Sequence, residues 1–242
     1  MKILDLTLPS PAENLACDEA LLDTAEADES DEVLRFWESP EYFVVVGYAN
    51  KVATEVNVSA CEAHGIPILR RCSGGGTVLQ GPGCLNYALV LRVSEDGPTR
   101  SISAANEFIM ERNRAAIESS ILHPPSSILV QGHTDLATGG LKFSGNSQRR
   151  RKNFLLFHGT FLLNFDLALV SELLPMPTQQ PDYRVSRVHG EFITNLDLAP
   201  AKLKTALREA WQVTEDTTSY SRDAITRLVA EKYSQADWNF KF

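Results

Sequence analysis

Two segments about sixty residues apart carry the residue types that could do chemistry. The first is Arg70-Arg71-Cys72-Ser73-Gly74-Gly75-Gly76-Thr77-Val78, running on to Gly83-Cys84-Leu85-Asn86-Tyr87. The second is Gly139-Gly140-Leu141-Lys142-Phe143-Ser144-Gly145-Asn146-Ser147-Gln148, followed by His158-Gly159-Thr160. Three consecutive glycines let backbone N–H groups turn toward an anion, and arginine suits carboxylate and phosphate forks. Together the segments offer backbone donors, cations and an isolated lysine, which is what holding a nucleotide phosphate against a carboxylic acid requires. The glycine run also suits a plain hairpin loop. It is neither a Walker A loop, since the Lys-Ser/Thr ending is missing, nor a Rossmann turn.

Lys142 sits in a predicted strand, with Leu141 and Phe143 pointing to the opposite face. It could polarise an acyl carbonyl and neutralise a phosphate, or it could be an exposed strand lysine. Its glycine, serine and asparagine neighbours suit close approach to a ligand. Arg149-Arg150-Arg151-Lys152 reads as a solvated turn or as a docking patch for an acidic partner or for ligand phosphates. His158 reads as a structural histidine or as a pocket wall beside Gly159. Cys72 and Cys84 lie in suggestive loops and read as small half-buried fillers, with a nucleophilic role as the other option.

These residues need a scaffold, and 242 residues are enough for one. The absence of a clear linker favours a single domain over 1–242. A formal net charge of −8 argues against general nucleic-acid binding. No apolar run approaches a membrane span, and the start lacks a secretory pattern, so a cytoplasmic location is expected. The four cysteines form no Cys-x-x-Cys pair, and the five histidines show no zinc spacing.

Ser10-Pro11-Ala12-Glu13 predicts a capped helix start, and 26–32 an acidic loop. Strands are predicted at 33–37, 43–46, 66–71, 85–93, 128–130, 141–144, 154–157 and 160–165. Helices are predicted at 58–64, closed by Gly65, at 101–121, stopped by Pro124 and Pro125, and at 201–211 and 221–233. Strands and helices interspersed without regular βαβ alternation predict an α+β fold with a mixed, largely antiparallel sheet flanked by helices.

The ordered set of motifs resembles the lipoate–protein ligase family, within the biotin/lipoate ligase and octanoyltransferase group. The landmarks are Asn14-Leu15-Ala16, Leu34-Arg35-Phe36-Trp37, the arginine–glycine segment, Leu85-Asn86-Tyr87, Asp135-Leu136, Lys142 to Gln148 and His158-Gly159-Thr160. The resemblance implies a fold like class II aminoacyl-tRNA synthetases and biotin ligases. It implies that lipoate and ATP, with Mg2+, give lipoyl-adenylate, and that the lipoyl group then passes to an acceptor lysine. Lys142 would be the catalytic residue, holding carboxylate and α-phosphate. Arg70, Arg71, Ser73, Gly74, Gly75, Gly76, Thr77, Val78, Asn86, Asp135, Ser144, Gly145, His158, Gly159 and Thr160 would bind ATP or the adenylate, with Asp135 on the magnesium side. Acceptors would be apo lipoyl domains of 2-oxoacid dehydrogenases or the glycine-cleavage carrier protein.

Two departures qualify the resemblance. In longer ligases a stretch like Trp238-Asn239-Phe240 precedes a small accessory domain, so a separate accessory protein is an expected partner. One octanoyltransferase branch has a Pro-Cys-Gly stretch where this chain has Pro175-Met176-Pro177. That weakens the reading as a carrier-dependent octanoyl or lipoyl transferase. A non-catalytic lipoyl-binding relative is the third reading, opposed by Lys142 and the full glycine loop. The Lys-Phe-Ser-Gly-Asn context points away from biotin.

Overall fold

The computed structural model describes residues 1–28, 31–121 and 127–242. In chain order β1 (Lys2–Asp5) leads to α1 (Pro11–Asp28), β2 (Val33–Trp37), β3 (Phe43–Val46), α2 (Val52–Glu55), α3 (Val58–His64), β4 (Ile68–Arg70), β5 (Val78–Gln80) and β6 (Cys84–Arg92). The chain continues through α4 (Ile102–Ser120), β7 (Ile128–Gln131), β8 (Asp135–Thr138), β9 (Leu141–Arg150), β10 (Phe154–Leu162) and α5 (Leu167–Leu173). After a 3-10 turn at Asp182–Arg184 come α6 (His189–Phe192), α7 (Pro200–Ala210), β11 (Glu215–Asp216), α8 (Arg222–Leu228) and α9 (Ala236–Asn239). A π-helical turn, Val229–Tyr233, extends α8. Among the described residues no helix is long and apolar enough to cross a membrane.

Eight strands form one sheet in the order β11-β1-β2-β6-β10-β9-β8-β7, and a smaller sheet runs β4-β3-β5. In the large sheet β1 pairs parallel with both neighbours and the other pairings are antiparallel. The α+β expectation with a mixed, largely antiparallel sheet therefore holds.

β6 is buried from Cys84 to Leu91 because both faces of the large sheet are covered. On one face Leu34, Phe36, Leu89, Leu91 and Phe157 pack against Ile109, Met110 and Ile117 of α4 and Leu203 and Leu207 of α7. On the other, Ala88, Val90, Phe154 and Leu156 meet Leu22 and Ala25 of α1. Fully burying each larger side chain contributes roughly 1.5–3 kcal/mol relative to exposure. The small sheet packs Phe43, Val45 and Leu69 against Leu15 of α1 and Ile225 of α8. This leaves α1 wedged against both sheets, which explains burial running almost unbroken from Asn14 to Ala20.

The capping box at the start of α1 closes in both directions. Glu13 N–H donates to Ser10 Oγ at 3.2 Å, and Ser10 N–H donates to Glu13 Oε2 at 2.9 Å. Its far end differs from expectation: the helix continues to Asp28, so the predicted acidic loop begins as helix. Glu26 accepts from the N–H groups of Asn153 and Phe154, each at 2.9 Å, and caps the β9–β10 turn. Glu29 and Ser30 of that loop, and the expected stop at Pro124 and Pro125, lie outside the described residues.

Two strand boundaries are corrections. β9 runs through Arg150 instead of ending at Ser144, and β10 passes unbroken through His158-Gly159. Continuous pairing between them, from Leu155 opposite Arg150 to Phe161 opposite Ser144, satisfies the backbone of residues whose side chains give no apolar alternation. Arg149 and Arg150 are consequently strand residues, and the solvated turn expected there shrinks to 151–153. Arg151 pairs with Asp23 at 2.8 Å.

Candidate active site

Pairing register lines up one row of residues across five strands of the large sheet. Trp37 lies opposite Asn86, Asn86 opposite Thr160, Thr160 opposite Gly145, and Gly145 opposite Asp135. At about 4.8 Å per strand the row spans roughly 19 Å. Two residues along, on the same face, Arg35, Ala88, His158 and Ser147 form a second row. A cavity of about 900 Å³ runs over these rows. Leu15 and Asp18 of α1 and Val45, Val78 and Gln80 of the small sheet wall one side. His133, Thr134 and residues of the 174–192 segment wall the other.

Lys142 reaches this face through a β-bulge. Leu136 pairs with Ser144 but Ala137 pairs with Lys142, so Phe143 has no opposite residue and the alternation slips. The bulge brings Lys142 to the same side as Gly145. A Cβ at Gly145 would stand 2.8 Å from Lys142 Nζ and 2.9 Å from its Cε. Glycine at 145 therefore leaves the lysine its place on the row. Lys142 Nζ pairs with Asp135 Oδ1 at 2.8 Å, and Tyr183 donates its hydroxyl to Asp135 Oδ2 at 2.8 Å. Burial, and next the charge of Asp135, push the Tyr183 phenol up, so it stays a donor. Burial pulls His189, another lining residue, below its usual range.

The glycine loop is held by Arg71. Its Nη2 donates to the carbonyls of Gly74 and Gly76, its Nε to Ser73 Oγ at 3.1 Å and to Gly74 O, and its Nη1 to Val45 O. Every one of these partners is neutral. Burial lowers the guanidinium to about 10, and a buried cation with only dipoles around it favours an incoming anion. Asn50 and Ser147 fix the loop from outside through Gly75 O and Gly74 O, at 3.1 and 2.9 Å.

A polar chain runs inward from the loop. Ser73 Oγ lies 2.6 Å from His158 Nε2, His158 Nδ1 lies 3.3 Å from Asp18 Oδ2, and Arg35 Nη1 donates to Asp18 Oδ1 at 2.6 Å. The Asp18 oxygen can only accept, so His158 Nδ1 carries a proton toward it and Nε2 is left to meet the Ser73 hydroxyl. Both ring nitrogens of His158 are thus engaged, and the ring serves as a rigid wall and a strut under the loop.

Of the residues expected at the site, Lys142, Asp135, Gly145, Arg71, Gly75, Gly76, Thr77, Val78, Asn86, His158, Gly159 and Thr160 line the cavity. Ser73 and Gly74 stand behind it as partners of Arg71, and buried Ser144 accepts from Asn146 Nδ2. Arg70 is placed elsewhere. It is fully buried, and its guanidinium donates to the carbonyls of Gly47, Tyr48, Asn50, Trp238 and Asn239. It joins the C-terminal segment to the loop that follows β3. The four cysteines are buried and none lines the cavity. Burial pushes the Cys72 and Cys84 thiols up to about 12 and Cys17 to about 11. Sequence reading missed Gln80, Asn50, Asp18 and Tyr183. The signal for Arg35 was a charged residue inside an otherwise apolar strand, whereas Asp18 lies in a helix with several other acids and had none.

The cavity is elongated, with a lysine near one end and an arginine-held glycine loop along its side, a form suited to holding a chain against an anion. The protein belongs to the lipoyl protein ligase A/B catalytic domain family, whose model matches residues 10–210. It is 27% identical to an octanoyltransferase LipM of Geobacillus kaustophilus, over 99% of this chain and 98% of that protein. It is also 27% identical to lipoate-protein ligase A subunit 1 of Thermoplasma acidophilum, over 93% and 90% of the two chains. A Thermoplasma acidophilum structure with bound lipoic acid is similar at a TM-score of 0.79 and 25% identity, covering 100% of this chain and 99% of that one.

Proposed function

We propose that the chain activates lipoate with ATP and attaches the lipoyl group to a lysine of an acceptor lipoyl domain. The observation that carries this reading is the contrast between Lys142 and the cysteines. The lysine opens onto the cavity, whereas every thiol is buried outside its lining and is held protonated in the three cases just given. Ligation needs an anion-stabilising cation and no protein nucleophile; transfer through a thioester needs a thiolate.

In the first step a lipoate carboxylate oxygen attacks the α-phosphorus of ATP and pyrophosphate leaves. In the second, the acceptor amine attacks the acyl carbonyl, forming the amide and releasing AMP. Lys142 would stabilise the charge shared by carboxylate and α-phosphate, and the loop held by Arg71 would receive phosphate oxygens through its N–H groups. Lys142 gives one N–H to Asp135 and has others for the entering anion, which competes with that carboxylate for the ammonium charge. Among the described residues no cluster of three His, Cys, Asp or Glu is placed to hold a metal. Asp135 has one contact on each oxygen and lone pairs to spare, so it is the carboxylate that would meet magnesium beside Lys142. Magnesium would arrive on the nucleotide phosphates.

The second reading, carrier-dependent octanoyl or lipoyl transfer, draws on the Geobacillus relative. The test is intact-mass measurement of an apo lipoyl domain, from a 2-oxoacid dehydrogenase or the glycine-cleavage system, mixed with the chain, lipoate, magnesium and ATP. A lipoyl mass gain that needs ATP and is lost in Lys142→Ala is expected. Gain from octanoyl carrier protein without ATP would overturn ligation. Transfer from preformed lipoyl-adenylate alone would mean that a separate accessory protein completes the first step.

A further inference from the structure

The turn beside Lys142 is held in a strained conformation that presents apolar side chains to water. Val185 and Ser186 both lie in the left-handed region, at φ 51° and 56°, where a β-branched residue is an outlier. Two arginines fix it there. Arg184 Nε donates to Arg187 O at 2.9 Å, and Arg187 Nε donates to Arg184 O at 3.1 Å. Arg187 Nη2 donates to the carbonyls of Tyr183 and Gly140, at 2.9 and 3.0 Å. Both guanidinium groups lie over the ring of buried Phe192, 4.6 and 5.3 Å from its centre. So held, Val185 is 77% exposed and Val188 is 53% exposed. A turn that only reverses the chain would carry Gly or Asn at 185, which take this φ at little cost.

The anchors of the turn belong to the site. Tyr183 holds Asp135 beside Lys142, Arg187 reaches Gly140 two residues before Lys142, and Thr194 N–H donates to Lys142 O at 2.9 Å. On edge strand β7, Leu129 is 49% exposed. It faces away from the α4 side, which takes Ile128 and Val130, and sits opposite Ala137, which sits opposite Lys142. Two strand spacings put it about 10 Å from the lysine's backbone. The second half-reaction decides what meets these groups. The attacking amine comes on the side chain of a folded partner, so that partner's body rests on the rim of the Lys142 end. Apolar groups already fixed beside the point of delivery favour docking without a cost for ordering them. We propose that Val185, Val188 and Leu129 form the seat of the acceptor domain, covered by apolar side chains that flank its target lysine. This inference rests on the lipoyl-attachment reading and gives the two valines a role in acceptor recognition, with none in activating the acid.

Val185→Asn and Val188→Ser test it, because each backbone favours the new side chain. Asparagine tolerates the left-handed region, and serine suits position 188, which precedes α6 without a side-chain cap. Melting temperatures should therefore hold or rise. With preformed lipoyl-adenylate as donor, the first step and any accessory protein drop out. Transfer is followed by intact mass at rising concentrations of apo lipoyl domain, and lipoyl-adenylate affinity is measured by isothermal titration. Covering much of one valine corresponds to about a five- to tenfold change in affinity. Each variant should raise the KM for the domain by about that factor and the double variant by more, with kcat and lipoyl-adenylate affinity close to wild type. An unchanged KM in the double variant overturns the proposal. A loss that falls on kcat or on lipoyl-adenylate affinity overturns it too, since the turn would then act through Tyr183 on Lys142. A wild-type dimer that becomes a monomer in the double variant, by light scattering, would assign the valines to a second copy and overturn it as well. A wild-type chain that cannot lipoylate the domain from the adenylate would bring down the lipoyl reading along with the inference.

Discussion

Lys142 owes its position to a missing side chain and an extra residue. The bulge at Phe143 turns it onto the row, and glycine at 145 leaves its ammonium the space beside Asp135. Gly145→Ala should therefore act on Lys142 without unfolding the sheet. The added methyl sits on the lysine's flexible end, 2.8 Å from Nζ, so the lysine moves and the backbone does not. Removing a well-placed electrostatic group costs about 10²–10³ in rate. Lys142→Ala should approach that loss in kcat for acyl-adenylate formation, and Gly145→Ala a substantial part of it, with melting temperatures close to wild type. A Gly145→Ala chain with full activity would mean that Lys142 does not work from the position it occupies here. Tyr183→Phe removes the second hold on Asp135. Asp135 is then displaced from Lys142 more easily, so the expected outcome is a changed KM for the acid with less change in kcat. Equal loss in both would point to general disruption of the 181–187 turn.

The elements behind these residues include a C-terminal brace that sequence reading did not find. Trp238 Nε1 donates to Arg70 O at 2.8 Å, and Asn239 Oδ1 accepts from Arg70 N–H at 2.9 Å. The π-helical turn before α9 sets Lys232 and Tyr233 on buried Glu19 of α1, with Tyr233 O–H donating at 2.6 Å. Asn239→Ala should leave the Arg70 N–H and the Tyr233 carbonyl short of partners deep in the protein. We expect about 1–3 kcal/mol of destabilisation in urea melts, with faster hydrogen exchange in the adjoining 70–77 segment. Unchanged exchange there would show that the brace does not support the glycine loop. Helices α1, α3, α4, α7 and α8 were legible, several from local chemistry at their ends: the Ser10–Glu13 box, Ser101 as a cap accepting from Ala104 N–H, and Gly65 at φ 64°; the short α2, α5, α6 and α9 were not. β9 and the continuity of β10 were not. Their site-facing residues are Gly, Ser, Asn and His, chosen for ligand contact, so the apolar alternation that marks a strand is absent where the site lies. The same cause hid the bulge and the five-strand row, since register is a property of pairs. Arg70 reads identically to Arg71 in sequence, and only tertiary contact separates the brace from the loop holder.

At the scale of the whole molecule, the two sheets and the helices against them form separate buried clusters, and the cysteines are distributed among them. Cys17 lies where α1 meets the small sheet, Cys61 and Cys84 on the far side of that sheet, and Cys72 between α1 and the large sheet. Their titration therefore reports on the folded state as a unit. The unfolded thiols titrate near 9, whereas burial holds Cys17 at about 11 and Cys72 and Cys84 at about 12. Below pH 9 both states keep these protons and the stabilisation is fully present. Between pH 9 and the folded values the unfolded chain loses protons that the folded chain keeps, so stability falls as pH rises, by about 1.4 kcal/mol per pH unit for each such thiol. Urea midpoints measured at pH 8, 9.5 and 10.5 should decline over this interval. Cys72→Ala should flatten the slope even if it lowers the midpoint at pH 8, because it removes one titrating group as well as its packing. Iodoacetamide at pH 8 provides the independent check. It should label none of the four thiols in native buffer and all of them in urea, followed by mass. Labelling of Cys72 or Cys84 in the folded chain would place a thiol within reach of solvent, weaken the alkaline prediction, and return a cysteine nucleophile to consideration.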